Sequence, residues 1–469
     1  MESSARETEN RHGRDMTRGS IPHHLVMFSL PMLAGNIIQT AYSLVNAMWV
    51  GKFLGKTDLA AVTVSFPVIF LLIAIAGGLT MGTSILVAQY VGARSWDHLR
   101  KVVQTSTVML CCVSVGLLII GQLCAPWILS HMDTPNDVYA LAASYMRVIL
   151  FTIPFSFGFF LTAAMLRGVG DSKTPLYFQT GALILTAIFD PILMFGWLGF
   201  PRFGLNGTAI ASTSMQAVGM FATFIYLYRK DHIVAPDWKT LSVDWPTMWL
   251  TVKIGFPSII QQSIVSIGML FVMGIVNGFG ENATAAFGAA MRIDQLAFLP
   301  AMTFGMAVST MAGQNLGASM PHRVKEVFWW GTAICAGITI IMSTFAVTQP
   351  QLLLKMFLND PGVISTGIGY LRIVGSCYIF FAIMFVSNGV INGAGYTFVT
   401  TIISLIALWL ARVPLAFYLS QHLHRVEGVW YAMAVSSGVS MVISVACYFS
   451  GFWKRPVIRH SPVPQVEEA

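Results

Sequence analysis

Apolar runs of membrane-spanning length dominate this chain and recur from Leu25 to Trp453. A helix needs roughly 20 predominantly apolar residues to cross a bilayer. With 55% hydrophobic and only 10% charged residues, the chain also falls outside the usual composition of soluble globular proteins. The sequence therefore predicts an all-α membrane protein with twelve transmembrane helices. The predicted spans are 25–51, 59–90, 101–126, 137–166, 174–198, 204–228, 247–278, 284–315, 327–349, 363–392, 398–421 and 427–453.

Lysine and arginine residues are unevenly distributed between the two sides of these spans. Of the 27 Lys and Arg, 17 lie on the side of the chain termini, five lie on the opposite side and five lie within or near spans. Because cytoplasmic segments carry the excess of positive charge, this bias predicts both termini in the cytoplasm. The same bias explains the net charge of +7 without a nucleic-acid partner, and nearly all of these residues are consistent with anchors for acidic lipid headgroups.

The chain repeats itself at an offset of 225 residues. Three pairs of segments align: MLRGVGDSKTP (165–175) with VINGAGYTFVT (390–400), VGARSWDHLRKV (91–102) with LGASMPHRVKEV (316–327), and YMRVI (145–149) with YLRIV (370–374). Each half holds six spans, an even number, so both halves enter the membrane from the same side and the repeat is parallel. We expect two six-helix lobes around a central cleft. The predicted domains are a cytoplasmic tail (1–24), an N-lobe (25–228), a cytoplasmic linker (229–246), a C-lobe (247–453) and a second cytoplasmic tail (454–469).

Several motifs are distributed over almost the whole chain. They are Pro31 followed by YSLVNAMWVGKFLG (42–55), MLRGVGDSKTP (165–175), FDPILMFG (189–196) with GLNGTAIAS (204–212), and RIDQLAFLPAMTFGMAVSTMAGQNLGA (292–318). In these motifs the chain resembles the multidrug and toxic compound extrusion (MATE) family, and within it the DinF-like branch of prokaryotic members. The resemblance implies a V-shaped pair of lobes and cation-coupled export of amphipathic organic compounds.

Asp190 is an acidic residue inside an otherwise apolar run, LTAIFDPILMFGWLGF (185–200). A charge at the centre of a membrane helix costs about 2.5–3.5 kcal/mol on insertion scales, so we expect this carboxylate to face an interior cavity and to take up and release a proton. The next residue, Pro191, predicts a kink with freed backbone carbonyls. Thr186 lies one helical turn earlier, where its hydroxyl is expected to reach the carboxyl group.

The resemblance implies further residues around Asp190. Carried over position by position, the cation-coupling residues are Asn46, Thr186, Asp190 and Thr208, with Gln39 in the same cluster and Ser65 nearby. The chain departs from the branch at two positions, where Asn46 replaces the usual aspartate and Thr186 replaces the usual asparagine. Since asparagine neither titrates nor carries a charge, Asp190 is the one carboxylate of this predicted site. We favour protons over sodium as the coupling ion.

Asp294 is the second acidic residue well inside a predicted span. Arg292 lies only two residues away, and residues at that spacing do not face each other on a helix. We expect either a structural ion pair with another helix, for example with Arg412, or a direct role in substrate binding or coupling. The predicted substrate-binding residues are Gln39, Asn46, Ser65, Asp190, Arg292 and Asp294.

Other polar residues do not indicate an enzyme. The six cysteines and ten histidines show no metal-ligand spacing. The GVG of 168–170 lacks the lysine and hydroxyl residues of a phosphate loop, and no Ser/His/Asp set is recognisable. We predict no metal and no cofactor apart from the coupling ion, H⁺ or Na⁺.

Two functions are consistent with these features. The first is a monomeric antiporter of the plasma (inner) membrane that exports amphipathic, often cationic, compounds. The second is a flippase for a lipid-linked saccharide, whose anionic pyrophosphate would require a basic cleft. Inward-facing side chains of Arg147, Arg292, Arg372 and Arg412 would favour the flippase.

Overall fold

The computed structural model describes residues 13–131, 136–239, 241–357 and 360–458. The outer parts of the two predicted tails, 1–12 and 459–469, lie outside these ranges. Within them, eleven helices are long and apolar enough to cross a membrane, and a bent pair makes a twelfth span. The predicted all-α architecture with twelve spans is therefore confirmed.

The helices follow one another with short connections. In the first half they are α1 (Ile21–Trp49), α2 (Lys56–Gly92), α3 (Trp96–His131), α4 (Asn136–Leu150), α5 (Thr152–Gly168), α6 (Lys173–Phe195) and α7 (Leu205–Arg229). In the second half they are α8 (Trp245–Asn277), α9 (Glu281–Gly317), α10 (Pro321–Thr348), α11 (Pro350–Lys355), α12 (Pro361–Val374), α13 (Tyr378–Gly393), α14 (Thr397–Leu405), α15 (Val413–Leu423) and α16 (Glu427–Phe449).

Three spans are interrupted within the membrane segment. The fourth bends by 41° between α4 and α5, because Pro154 has no N–H for the carbonyl of Leu150. The tenth has a 3-10 turn, Gly375–Cys377, between α12 and α13. The eleventh has a π-helical segment, Ile406–Arg412, which ends just before Pro414. Interruptions of this kind provide bending points in otherwise rigid helices.

The helices group into two compact units. Of the described residues, the first unit contains Gly13–Asp15 and those within Leu30–Val87 and Ser95–Phe256, and in it α6, α5 and α4 all pack on α7. The second unit contains Met16–Ser29, Ala88–Arg94 and the described residues between Pro257 and Ile458, and in it α9 packs on α13 and α10. Two short segments of the first sequence half thus belong to the second unit.

Positions of left-handed backbone conformation repeat through the chain at the offset seen in the sequence. The pairs are Gly55 and Gly280 (φ 108° and 93°), Arg94 and Ser319 (51° and 59°), Gly170 and Gly395 (89° and 94°), and Gly199 and His424 (85° and 51°). Residues with side chains rarely adopt this region, so four matched pairs indicate that the two halves share their connections as well as their helices. The internal repeat is confirmed.

The ends of α2 and α9 cross at equivalent residues of the repeat, Gly92 and Gly317, which we call the glycine crossing. A Cβ atom at Gly92 would lie 1.8 Å from the carbonyl oxygen of Gln314, and one at Gly317 would lie 1.9 Å from that of Gln89. The two backbones are therefore in direct contact, which only glycine permits.

Both glutamine side chains of this region are bonded to backbone. Gln89 Nε2 donates to the carbonyl of Gly393 at 2.8 Å, and Gln89 Oε1 accepts from the backbone N–H of Ile458 at 3.4 Å. Gln314 Oε1 accepts from the N–H of Met16 at 3.1 Å. Segments near both ends of the described chain are thereby attached to the second unit.

Asp244 forms the N-terminal cap of α8. Its Oδ2 accepts from the backbone N–H of Thr247 at 3.0 Å and from the Thr247 hydroxyl at 2.6 Å, while its own N–H donates to Thr105 Oγ1 at 3.1 Å. The hydrogen bonds from Thr247 lower the pKa of the Asp244 carboxyl below its usual range. The linker between the sequence halves is thus fixed to both α8 and α3.

Replacing Asp244 by alanine is expected to destabilise the protein by about 0.5–2 kcal/mol, the usual cost of removing a helix cap. Asp244→Asn keeps the acceptor oxygen and should lose less. Because the pKa of Asp244 is lowered by folding, the contribution of its charge is complete above the unfolded value of about 4 and disappears on further acidification. Thermal unfolding of the detergent-solubilised variants at pH 7 measures this, and equal midpoints for wild type and Asp244→Ala would contradict the capping role.

Candidate functional site

Asp190 lies buried near the end of α6, with 1% of its surface exposed. The hydroxyl of Tyr42 on α1 donates to Asp190 Oδ2 at 3.1 Å. The other oxygen, Oδ1, is buried and has no hydrogen-bond partner in the described part of the chain. The helix continues through Pro191 to Phe195, although the proline has no N–H to offer the carbonyl of Ala187. A buried carboxylate with an unpartnered oxygen requires an explanation, because such groups are nearly always paired.

The hydroxyl groups expected around Asp190 are directed elsewhere. Thr186 is buried, but its hydroxyl donates to the carbonyl of Ala182 at 2.7 Å and not to the carboxylate. Thr208 likewise donates to Leu205 at 2.9 Å. A threonine in a helix readily donates to the carbonyl three or four residues earlier, so the expected Thr186–Asp190 hydrogen bond does not form. Because both hydroxyls donate their hydrogens to backbone carbonyls, only their oxygen lone pairs remain to accept a hydrogen bond or to bind a cation.

The same preference occupies the hydroxyl of Ser65, which is fully buried on α2. Its Oγ donates to the carbonyl of Ala61 at 2.9 Å. No hydrogen bond from Ser65 to the carboxylate is found among the described residues. Its place in the substrate-binding set therefore stays a prediction.

Tyr42 belongs to a face of α1 that carries further polar residues. Asn46 lies one turn after Tyr42 and therefore on the same side of the helix. Its Oδ1 is also buried and has no hydrogen-bond partner among the described residues. Gln39 lies one turn before Tyr42, and its Oε1 accepts from Gln179 Nε2 at 3.1 Å. Two acceptor oxygens, one on Asp190 and one on Asn46, are thus buried without donors.

Tyr42 was not among the residues predicted from the sequence. It holds the carboxylate directly, interacts with Ser212 of α7, and shares the neighbourhood of Asp190 with Tyr145 of α4. A tyrosine inside an apolar span does not stand out by hydropathy. Its spacing of four residues from Asn46 was the signal available in the sequence.

The second buried carboxylate, Asp294 on α9, lies in the other unit. It is 4% exposed and accepts hydrogen bonds from the hydroxyls of Tyr370 and Tyr378. Arg292 is exposed, so the structure does not bring it together with Asp294, as the spacing predicted. Arg412 interacts electrostatically with Asp294, while its Nε donates to Ser436 Oγ at 2.8 Å.

The described residues contain no group of three or more His, Cys, Asp or Glu side chains able to hold a metal ion. The six cysteines are free thiols. Among the described residues, no cysteine forms a hydrogen bond with Asp190 or Asp294.

Twelve spans in a parallel internal repeat are an architecture found among membrane transporters. Comparison with known proteins then identifies the family. The MatE family model matches residues 31–192 and 257–418, and the chain belongs to this family. The family match confirms the resemblance to the MATE family. Because members of this family are transporters, it also confirms the prediction that the protein is not an enzyme.

Relatives and solved structures agree with this assignment. The chain is 32% identical over 451 residues to the probable multidrug resistance protein YoeA of Bacillus subtilis, covering 94% of this chain and 96% of that protein. It is 28% identical to the probable multidrug resistance protein YpnP of the same organism, with 94% and 97% covered. A solved structure described as the outward-facing conformation of a multidrug resistance MATE family transporter has the same fold, with a TM-score of 0.86, 23% identity, and 93% and 97% covered.

Proposed function

We propose that this transporter exports amphipathic, often cationic, organic compounds in exchange for protons, by alternating access in the plasma (inner) membrane. The observation that carries the coupling is the Asp190 carboxylate, which is buried in a membrane span with one oxygen unpartnered. The relatives named as multidrug resistance proteins support the choice of substrate class. The excess of Lys and Arg on one side supports cytoplasmic termini.

Charge favours a proton over a sodium ion. Asp190 provides one negative charge, and Asn46 provides only a neutral oxygen where the branch usually has a second carboxylate. Binding one proton neutralises Asp190 and gives Oδ1 a hydrogen to donate, so that this carboxyl group becomes stable without a counter-charge. A sodium ion would need several further oxygen ligands, for which Asn46, Thr186 and Thr208 are the candidates.

Tyr42 orients the carboxylate in this scheme. Its hydroxyl occupies Oδ2, which directs the proton to Oδ1. Gln39 and Ser65 are proposed to contact the substrate next to the coupling residue. Competition of proton and substrate for the same group then gives exchange, since a cationic compound is attracted to the ionised carboxylate and released by the protonated one.

The flippase is the less favoured function. The relatives described above are named multidrug resistance proteins. Of the four arginines whose inward direction would favour a flippase, Arg412 is hydrogen-bonded to Ser436, whereas Arg147, Arg292 and Arg372 are exposed.

Transport of ethidium in proteoliposomes tests the proposal, with proton and sodium gradients imposed separately. We expect uptake to be driven by the proton gradient, to saturate with dye concentration and to stop when an ionophore collapses the gradient. Uptake driven by sodium alone would contradict proton coupling, and the residues around Asp190 would then be proposed as a sodium site instead. No uptake under either gradient would contradict drug export, and movement of a lipid-linked saccharide would then be measured.

A further inference from the structure

Two tyrosines of the tenth span converge on Asp294. Tyr378 donates its hydroxyl to Asp294 Oδ1 at 2.5 Å, and Tyr370 donates its hydroxyl to Oδ2. Tyr370 lies on α12 and Tyr378 on α13, on opposite sides of the 3-10 turn Gly375–Cys377. One carboxylate of α9 therefore binds both segments of an interrupted helix. We call Asp294, Tyr370 and Tyr378 the tyrosine clamp.

Aromatic packing keeps the clamp in place. Tyr370 is fully buried and contacts the rings of Phe287 and Trp430 at centroid distances of 5.8 and 4.7 Å. Tyr378 is 1% exposed and lies 6.0 Å from the ring of Phe298. Because both tyrosines are buried, their hydroxyls cannot turn to bulk water instead. Loss of a hydrogen bond to the carboxylate would therefore leave a buried polar group without a partner, which is costly.

The turn between the tyrosines departs from the α-helical pattern, because the N–H of Tyr378 donates to the carbonyl of Gly375, three residues earlier. Ser343 of α10 also donates to the carbonyl of Gly375 at 2.8 Å, and Ser376 donates to the carbonyl of Ile373 at 2.7 Å. Two serine hydroxyls thus add hydrogen bonds to carbonyls at the turn. A 3-10 turn within a longer helix often marks a hinge, and the clamp spans this one.

The surroundings of Asp294 do not suit a second coupling site. Both of its oxygens already accept a hydrogen bond, and Arg412 provides a positive charge nearby. Protonation of Asp294 would leave the half-buried Arg412 without this nearby negative charge, which is unfavourable. Asp190 differs, because among the described residues one of its oxygens has no hydrogen-bond partner and no positively charged group is among the interactions described for it.

We propose that Asp294 is a positioning residue of the transport cycle. Through Tyr370 and Tyr378 it holds α12 and α13 in one relative orientation across the Gly375–Cys377 turn, and an intact clamp is required for the conformational change to proceed at its normal rate. This inference rests on the proposed transport function, but it assigns to Asp294 neither the coupling ion nor the substrate.

The test uses Tyr370→Phe, Tyr378→Phe and the double variant, which remove only hydroxyl groups. Hydrogen bonds to a charged acceptor are stronger than neutral ones. Loss of both tyrosine hydrogen bonds to Asp294 should therefore lower the maximal rate of ethidium transport about ten-fold or more. The KM for ethidium and the number of cations moved per ethidium should stay unchanged. Hydrogen exchange measured by mass spectrometry should become faster in peptides that cover residues 370–380.

Tyr139→Phe is the matched control, since it removes a tyrosine hydrogen bond, to the carbonyl of Pro126, in the first unit. It should leave hydrogen exchange at residues 370–380 unchanged. Unchanged exchange and rate in the double variant would overturn the proposal, and so would a changed cation-to-ethidium ratio, which would make Asp294 a coupling residue. If the double variant does not fold, the single variants decide. If the wild type transports no dye, the proposed function fails, whereas the exchange measurement still tests the clamp.

Discussion

Replacing Asp190 by asparagine is expected to abolish proton-driven accumulation of ethidium, reducing it to the level of empty liposomes. The amide matches the carboxylate in shape and still offers Tyr42 an acceptor oxygen, so the fold and the local packing should persist. What is lost is the group that binds and releases a proton. Because asparagine resembles the protonated carboxyl group, the variant should bind the dye more weakly than the wild type, and this binding should no longer depend on pH.

A folded variant whose dye binding no longer depends on pH is what distinguishes a coupling residue from a structural one. Asp231→Asn, at an exposed position after α7, is the matched control and should transport like the wild type. Accumulation of ethidium by Asp190→Asn would contradict the assignment. Loss of folding, detected by size-exclusion chromatography, would show that Asp190 is needed for structure instead.

The second large effect is expected at the glycine crossing. Gly92→Ala and Gly317→Ala each place a Cβ atom within 2 Å of a backbone carbonyl oxygen on the other helix. Backbone cannot move aside as a flexible side chain can, so α2 and α9 must separate. We expect each variant to lose about 1–3 kcal/mol of stability, the usual cost of overpacking, or more, and to transport more slowly.

The two substitutions should not be additive. Once the helices have separated to accommodate one Cβ atom, the second is accommodated at a smaller cost, as is usual for residues in contact. Gly116→Ala and Gly337→Ala are the matched controls, because a Cβ atom at either position meets nothing within 4 Å. Alanine favours helix over glycine, so these controls should unfold at the wild-type temperature or slightly above it. A normal unfolding temperature for Gly92→Ala would contradict the close contact.

Much of the fold was predictable because it depends on patterns that repeat along the chain. The length of the apolar runs predicted the spans, and the 225-residue offset predicted the duplicated connections. It also paired Gly92 with Gly317, although nothing in the sequence indicated that these two glycines contact each other. The interruptions inside the fourth and eleventh spans have local causes in Pro154 and Pro414.

The candidate site was predictable only in part. Asp190 was identified because a carboxylate inside an apolar run is costly unless it has a function. The sequence does not single out Tyr42, because its ring is typical of an apolar span, although its hydroxyl donates the hydrogen bond to Asp190. Thr186 was expected to bond the carboxylate, yet a hydroxyl in a helix can turn either to a neighbouring side chain or to its own backbone, and spacing does not decide between them.

The sequence by itself determined the class of this protein, because membrane spans, their number and the internal repeat follow from hydropathy and periodicity, which are local or strictly repetitive properties. It also determined that Asp190 and Asp294 would be buried charges. Only the tertiary structure decided how they differ: Asp190 keeps an oxygen unpartnered beside Tyr42, and Asp294 is enclosed by Tyr370 and Tyr378. Those partners lie on other helices, and which side chains meet between helices is decided by packing in three dimensions.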